Sequence, residues 1–294
     1  MGAAVEAGRL EGRTGLRGLA SLYAEALHRL GDRALLGSLL RWSVLGLVFV
    51  EALAVGVGRV DSAHTALIAG LAGFGWWLLI VVVLIGGATL LVTPDGKRID
   101  YYGVPNGLTA VRAWSCAPLL VCAFAALPGE LGLILWCSIG GPAGLLDMVD
   151  GYIARRVGPI TLLGRALDPA GDALFFAVAA LGSWHLGILP AWLALVLLVR
   201  YLGPLLGTPI VFLARRRPEL GFTEWGRRNT LFTGVVLFTL MWVRIFHGPV
   251  GLVALLIGVP LLVTTTLLHF VALGRRAWEA PVVRERRSRG PLST

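Results

Sequence analysis

The sequence predicts an all-α polytopic membrane protein, on three observations. The chain is oily: 56% of its 294 residues are hydrophobic and only 15% are charged, with a mean hydropathy of +0.79. A soluble domain of this length needs far more polar surface. The charges that exist are clustered, and long apolar runs lie between the clusters. Thr65 to Val92 holds no charged residue at all, and at about 1.5 Å per residue such a run crosses a ~30 Å hydrocarbon core with some tilt.

The elements follow in order. Residues 1–41 form a basic segment in which Leu19, Leu22, Tyr23, Ala26, Leu27 and Leu30 recur at helical spacing between Arg13, Arg17, Arg29 and Arg33. This is the pattern of an interfacial amphipathic helix. Two spans are expected within 42–93, at about 42–58 and 65–92. A polar stretch from Thr93 to Tyr102 separates them from six more, at about 113–127, 131–153, 163–183, 189–213, 230–246 and 249–273. Breaks fall at Pro128-Gly129-Glu130, around Trp184 to Pro190, in the basic loop 214–228 and at His247-Gly248-Pro249. Residues 275–294 read as a basic tail.

Alternate connections are basic: Lys97, Arg98 and Arg112; Arg155, Arg156 and Arg165; Arg215, Arg216, Arg217, Arg227 and Arg228; then the tail. The opposite ones hold little beyond Arg59, Glu130 and His185. The positive-inside rule then places both termini in the cytoplasm, in a cell (inner) membrane protein. The same distribution accounts for the net charge of +9 through contact with anionic lipid, so no nucleic-acid partner is expected. Residues 1–40 lack the apolar core of a signal peptide. Cys116, Cys122 and Cys137 sit in apolar stretches without zinc or disulfide spacing.

One segment breaks the apolar pattern. Asp147 and Asp150 lie near the end of the fourth span, and Asp168 and Asp172 near the start of the fifth. Carboxylates at membrane depth are costly and mark function. Spacings of three and four residues put each pair on one helix face, and antiparallel neighbouring spans bring both pairs to one depth. Converging carboxylates need compensating positive charge, and an all-oxygen donor set suits two Mg²⁺ or Mn²⁺ ions. Gly151, Ala154 and Gly164 leave room for a ligand near the backbones, and Arg155 can bond a phosphate. Together they point to a bound diphosphate.

These residues fit D-x2-D-G-x2-A-R-x8-G-x3-D-x3-D throughout, the signature of the CDP-alcohol phosphotransferase family, which the chain resembles over about 94–274. Pro105-Asn106-Gly107-Leu108-Thr109-Ala110-Val111-Arg112 resembles the P-N-x-L-T-x-x-R element that precedes the family's first core helix. The resemblance implies a six-helix core preceded by an amphipathic helix, with the two spans of 42–93 as additions. It implies that Asp147, Asp150, Asp168 and Asp172 hold two metals and that Asp172 is the general base. It further implies that Gly151, Ala154, Arg155 and Gly164 contact the CDP moiety, that Asn106, Thr109 and Arg112 close the nucleotide site from an interfacial helix, and that the protein is a homodimer.

The implied reaction moves a substituted phosphate from a CDP-linked donor to an alcohol and releases CMP. Gly187 to Leu195, running on to Arg200, and Gly226-Arg227-Arg228-Asn229-Thr230 resemble stretches of phosphatidylglycerophosphate and cardiolipin synthases. These would use CDP-diacylglycerol and glycerol 3-phosphate at the bilayer surface, with Arg200 available for the acceptor's phosphate. Where those enzymes carry lysine after the fourth aspartate, this chain has Ala173. Inositol phosphate or another alcohol as acceptor, or a soluble CDP-alcohol with diacylglycerol, is the alternative within the class. A cation-coupled transporter is the alternative outside it, and would place its carboxylates nearer mid-membrane.

Overall fold

The computed structural model describes residues 16–125, 127, 130–157, 160–213 and 224–279, without the side chains of 16–19, 145–157, 208–213, 224, 227 and 277. These residues are helical almost throughout. The helices are α1 (Leu16–Arg29), α2 (Arg33–Val60), α3 (Ala63–Gly87, continued by a 3-10 turn Ala88–Leu90), α4 (Val104–Phe124), α5 (Leu131–Val157), α6 (Leu162–His185), α7 (Ala191–Leu213), α8 (Glu224–Ile245), α9 (Val250–Val253), a π-helical stretch Ala254–Val263, and α10 (Thr264–Glu279). They form two compact units that divide after Leu186.

Among the described residues, five helical segments are long and apolar enough to cross a membrane: Arg33–Val60, Ala63–Leu90, Val104–Phe124, Leu162–His185 and Val250–Arg276. The chain is therefore an integral membrane protein. The other three expected spans coincide with α5, α7 and α8. The shorter apolar stretches in α5 and α7 are Leu131–Gly144 and Ala191–Gly207. The charges of α8, namely Glu224, Arg227, Arg228 and Arg244, lie toward its ends.

Two boundaries differ from expectation. The first span begins at Arg33 rather than near 42, because Asp32 caps it, accepting from the amides of Ala34 (2.7 Å) and Leu35 (3.4 Å). A carboxylate that satisfies amides at a helix start stabilises that start by about 1 kcal/mol. The segment expected to be an interfacial helix is thus confined to α1. Its inner face is narrower than the periodicity implied: Ala26 and Leu30 are buried while Leu27 is exposed. Arg29 holds α1 in place by donating to Ala88 O (2.6 Å) and Ile99 O (3.4 Å). The Ala88 carbonyl lies where α3 runs out of helical partners.

The second difference is more consequential. Asn106, Thr109 and Arg112 do not lie on a separate interfacial helix. They belong to the first half of α4, which runs unbroken from Val104 and carries Pro105 in its first turn. Proline suits that position because its missing N–H has no helical partner there. All three side chains are buried, since α4 is surrounded by α2, α3, α5 and α6.

The α2–α3 hairpin packs through small residues. A Cβ on Gly58 would stand 2.1 Å from Ala66 Cβ, and one on Gly73 would stand 2.4 Å from Val50. Close helix approach of this kind is how membrane helices gain packing energy. Within the 91–103 connection, Val92 and Arg98 form an antiparallel bridge around a turn at Gly96, whose φ is +85°. Burial pushes the Tyr102 phenol well above its ordinary range, with Arg29 pulling the other way. It remains a neutral donor, bonded to Leu84 O at 2.6 Å.

In the first unit α5 and α6 run antiparallel. Trp136 of α5 lies on Gly182 of α6, at the end remote from the aspartates. A Cβ on Gly182 would stand 2.2 Å from the indole ring. Gly182→Ala is therefore expected to destabilise the protein by about 1–3 kcal/mol through overpacking. Gly141→Ala, where nothing lies within 4 Å, should be neutral or slightly stabilising. Thermal unfolding in detergent measures both.

The second unit is held by buried polar residues. Asn229 donates to Thr265 Oγ1 (2.6 Å) and Thr266 Oγ1 (3.2 Å), and the Tyr201 hydroxyl to Thr233 Oγ1 (3.2 Å). Polar groups withdrawn from water need such partners.

Candidate active site

The site is built at the start of α6. Thr161 caps that helix and accepts from Gly164 N at 3.1 Å. The Leu162 amide donates to Val92 O at 2.9 Å, so the 91–99 turn fixes the same end. The helix thereby enters with Asp168 and Asp172 one turn apart on one face.

Helix α4 supplies the facing row. Asn106 donates to Thr161 Oγ1 (3.4 Å). The Thr109 hydroxyl lies between Pro105 O (3.1 Å) and Asp168 Oδ1 (3.4 Å). Arg112 Nη2 meets Asp172 Oδ1 at 2.5 Å. Positions 106, 109 and 112 along α4 thus meet 161, 168 and 172 in the same order, so the two helices run in the same direction. Gly164 keeps this approach open: a Cβ there would lie 3.1 Å from Asn106 Oδ1, tight enough that the Asn106 side chain would have to give.

The Arg112–Asp172 pair is the electrostatic centre of this arrangement. Arg112 is 1% exposed and the Asp172 side chain 21%. A buried guanidinium beside a partly accessible carboxylate forms a short charge-assisted hydrogen bond. The carboxylate itself stays partly accessible. Arg112 additionally contributes its carbonyl to the Ser115 hydroxyl at 2.7 Å.

Of the residues singled out in the sequence, Asn106, Thr109, Arg112, Gly164, Asp168 and Asp172 come together in this α4–α6 row. Asp147, Asp150, Gly151, Ala154 and Arg155 lie on the C-terminal half of α5, which is helical through Val157; their side chains fall outside the described ones. Helix α4 packs extensively on both α5 and α6, which touch each other only sparsely. Arg200 belongs to the second unit. It is buried, donates to Gly226 O at 3.3 Å, and its guanidinium lies 5.1 Å from the Tyr201 ring centre.

Two functional contacts escaped the sequence reading. Thr161 as the partner of Asn106 was accessible in principle, since a threonine directly before an apolar run is a helix-cap signal. The pairing of Arg112 with Asp172 was not, because sixty positions separate the two residues.

Among the described residues no cluster of three or more His, Cys, Asp or Glu side chains stands ready for a metal. The described part of the candidate set is Asp168 and Asp172, hard oxygen donors one turn apart, with the Thr109 hydroxyl against the first. That donor chemistry fits Mg²⁺ or Mn²⁺ and not a soft metal.

The chain spans about half the length of the curated relatives it matches. A Streptomyces coelicolor protein named cardiolipin synthase (CMP-forming) is 40% identical over 109 residues, 33% of this chain and 46% of that one. A Mycobacterium tuberculosis protein named probable phosphatidylglycerophosphate synthase is 28% identical over 135 residues, 46% and 62% of the two chains. A Pseudomonas fluorescens protein named CDP-diacylglycerol--glycerol-3-phosphate 3-phosphatidyltransferase is 34% identical over 129 residues, 42% and 61%. No solved structure matches the chain. The sequence model of the CDP-alcohol phosphatidyltransferase family matches residues 102–271, from Tyr102 through α4 and the aspartate segment into α10. This match covers more than half of the chain, and the protein belongs to the CDP-alcohol phosphatidyltransferase family.

Proposed function

We propose that the protein transfers a phosphatidyl group from CDP-diacylglycerol to a small alcohol, with glycerol 3-phosphate the leading acceptor, and releases CMP. The observation that carries this reading is the row in which Asn106, Thr109 and Arg112 meet Thr161, Asp168 and Asp172. It joins the family's two sequence elements into one surface at the start of α6. The family membership and the names of the relatives support the donor and the acceptor.

The alcohol oxygen attacks the phosphorus of the phosphatidyl group, and the bond from that phosphorus to the CMP oxygen breaks. Asp172 receives the hydroxyl proton and passes it to solvent. Arg112 holds the Asp172 carboxylate through Oδ1, which orients it toward the acceptor. Thr109 orients Asp168 in the same way. Gly164, with Gly151 and Ala154 on α5, keeps the helix surfaces low enough for the nucleotide, and Arg155 bonds its phosphate. Asp147, Asp150, Asp168 and Asp172 would hold two Mg²⁺ or Mn²⁺ ions, which supply charge neutralisation for the diphosphate. The site faces the cytoplasm, by the basic connections on that side.

The test is CMP release by purified protein in detergent with CDP-diacylglycerol and Mg²⁺. Glycerol 3-phosphate, inositol phosphate and other alcohols are offered singly, and Asp172→Ala is the control. Acceptor-dependent release that the control lacks establishes the transferase and names its alcohol. No release with any acceptor from folded wild-type protein refutes the reading. Chelation with EDTA is expected to abolish release, and added Mg²⁺ or Mn²⁺ to restore it. Release that persists in EDTA would remove the metals from the scheme.

A further inference from the structure

Helices α1–α3 lie before the region shared with the family, which begins at Tyr102, and nothing in the transfer chemistry requires them. They are nevertheless built onto the helix that carries half of the site. Gly107 and Trp114 are seven residues apart and share one face of α4. Thr109 and Arg112 fall roughly opposite, at about 100° per residue. Each face has its own partner: α6 takes Thr109 and Arg112, and the N-terminal hairpin takes Gly107 and Trp114. The Trp42 ring lies so close on Gly107 that a Cβ there would stand 2.1 Å from it, and Gly46 is covered by the Trp114 ring in the same way (2.3 Å).

The hairpin also grips the backbone where α4 begins. Ser38 Oγ accepts the Tyr102 amide at 2.9 Å, and the Trp42 indole donates to the Tyr102 carbonyl at 3.1 Å. Ser38 and Trp42 are one turn apart on α2, so a single helix face holds both backbone groups of one residue. Tyr102 precedes Val104, the first residue of α4, by two positions, and Asn106 follows within the first turn. Ser38 is 2% exposed, and its own proton goes to Leu35 O at 2.8 Å. Its remaining role in this buried place is that of acceptor for Tyr102.

We infer that Ser38 and Trp42 are positioning residues for the nucleotide half of the active site: together they fix the entry of α4 and thereby set Asn106 and Thr109 against Thr161 and Asp168. The N-terminal hairpin is on this account part of the catalytic apparatus. The inference rests on the transferase reading for its kinetic consequence, though not for its structural one.

The experiment compares Ser38→Ala and Trp42→Phe in the full-length protein with Trp77→Phe. Trp77 makes a bond of the same kind, from its indole to Ser43 O at 2.7 Å, which ties α3 to α2; its bond to α4 runs through its backbone carbonyl, which accepts from the Trp114 indole at 3.4 Å and survives the substitution. Phenylalanine at 42 removes the donor together with part of the ring on Gly107, a loss of size that Trp77→Phe shares, and Ser38→Ala removes the other bond without it. Losing one such bond is expected to raise KM for CDP-diacylglycerol about three- to tenfold, with KM for the acceptor unchanged. Amide exchange over residues 102–109 should quicken in both variants. Trp77→Phe should leave donor KM and exchange over 102–109 as in wild type, and Ser38→Thr, which keeps the hydroxyl, should restore donor KM. Unchanged donor KM and exchange in Ser38→Ala and Trp42→Phe overturn the inference, as does an equal change in Trp77→Phe. If wild-type protein transfers nothing, the transferase reading fails, and exchange over 102–109 alone decides whether the clamp exists.

Discussion

Asp172→Asn is expected to lower CMP release by about 10²- to 10⁴-fold, the usual contribution of a positioned general base. The amide is close in shape to the carboxylate and keeps an oxygen that can accept from Arg112 Nη2, where the wild-type distance is 2.5 Å. What it lacks is charge and basicity. The buried Arg112 guanidinium loses this counter-charge, which should lower stability as well, and the protein that remains folded should still lose turnover. The measurement is acceptor-dependent CMP release, set beside the unfolding temperature of the same preparation. A variant that is folded under the assay conditions and still transfers within tenfold of wild type would remove Asp172 from the role of base.

Arg112→Gln is expected to lower both stability and activity. Its guanidinium is almost wholly buried in α4 and pairs with Asp172 across to α6. Breaking a buried pair by removing one member costs about 3–5 kcal/mol. The low end applies here, because the Asp172 side chain is partly accessible and retains some solvation. Unfolding in detergent should show that loss, and CMP release should fall as well, because the carboxylate is no longer oriented. Combining Arg112→Gln with Asp172→Asn should cost less than the sum of the single changes, since each single change already forfeits the pair. Additive costs would mean that the two residues act independently despite the contact.

Chelation, Gly182→Ala and the Ser38 and Trp42 variants probe other links of the same chain of cause. Gly182 concerns only packing at the far end of α5 and α6. Ser38 and Trp42 touch neither substrate nor aspartate and act through the backbone of Tyr102. A pattern in which Gly182→Ala lowers stability without moving KM, while Ser38→Ala moves donor KM, would separate the two kinds of effect.

Much of this was legible in the residues. Local physics in a bilayer is severe: an uncharged run such as Thr65 to Val92 has one stable state, a helix that satisfies its own backbone. The all-helical class and most span positions follow from that alone. The aspartates stood out for the same reason, as costly groups in an apolar chain. The start of α2 at Arg33 was also within reach, since Asp32 followed by an apolar helical pattern is a cap signal.

What the sequence by itself determined, then, is the membrane class, the helical periodicity and the placing of Asp147, Asp150, Asp168 and Asp172 in two helical pairs within an apolar chain, each a matter of neighbouring residues and the solvent. The tertiary structure alone decided that α4 is one helix with two working faces, that Arg112 meets Asp172, and that Ser38 and Trp42 hold Tyr102. The family resemblance implied an interfacial helix for Asn106, Thr109 and Arg112, and their local pattern could not correct it, because polar residues at helical spacing look the same whether they face headgroups or a neighbouring helix. Only the arrival of α6 on one side of α4 and the α2–α3 hairpin on the other buries them. Contacts between residues sixty positions apart depend on which helices pack together, and no local pattern encodes that choice.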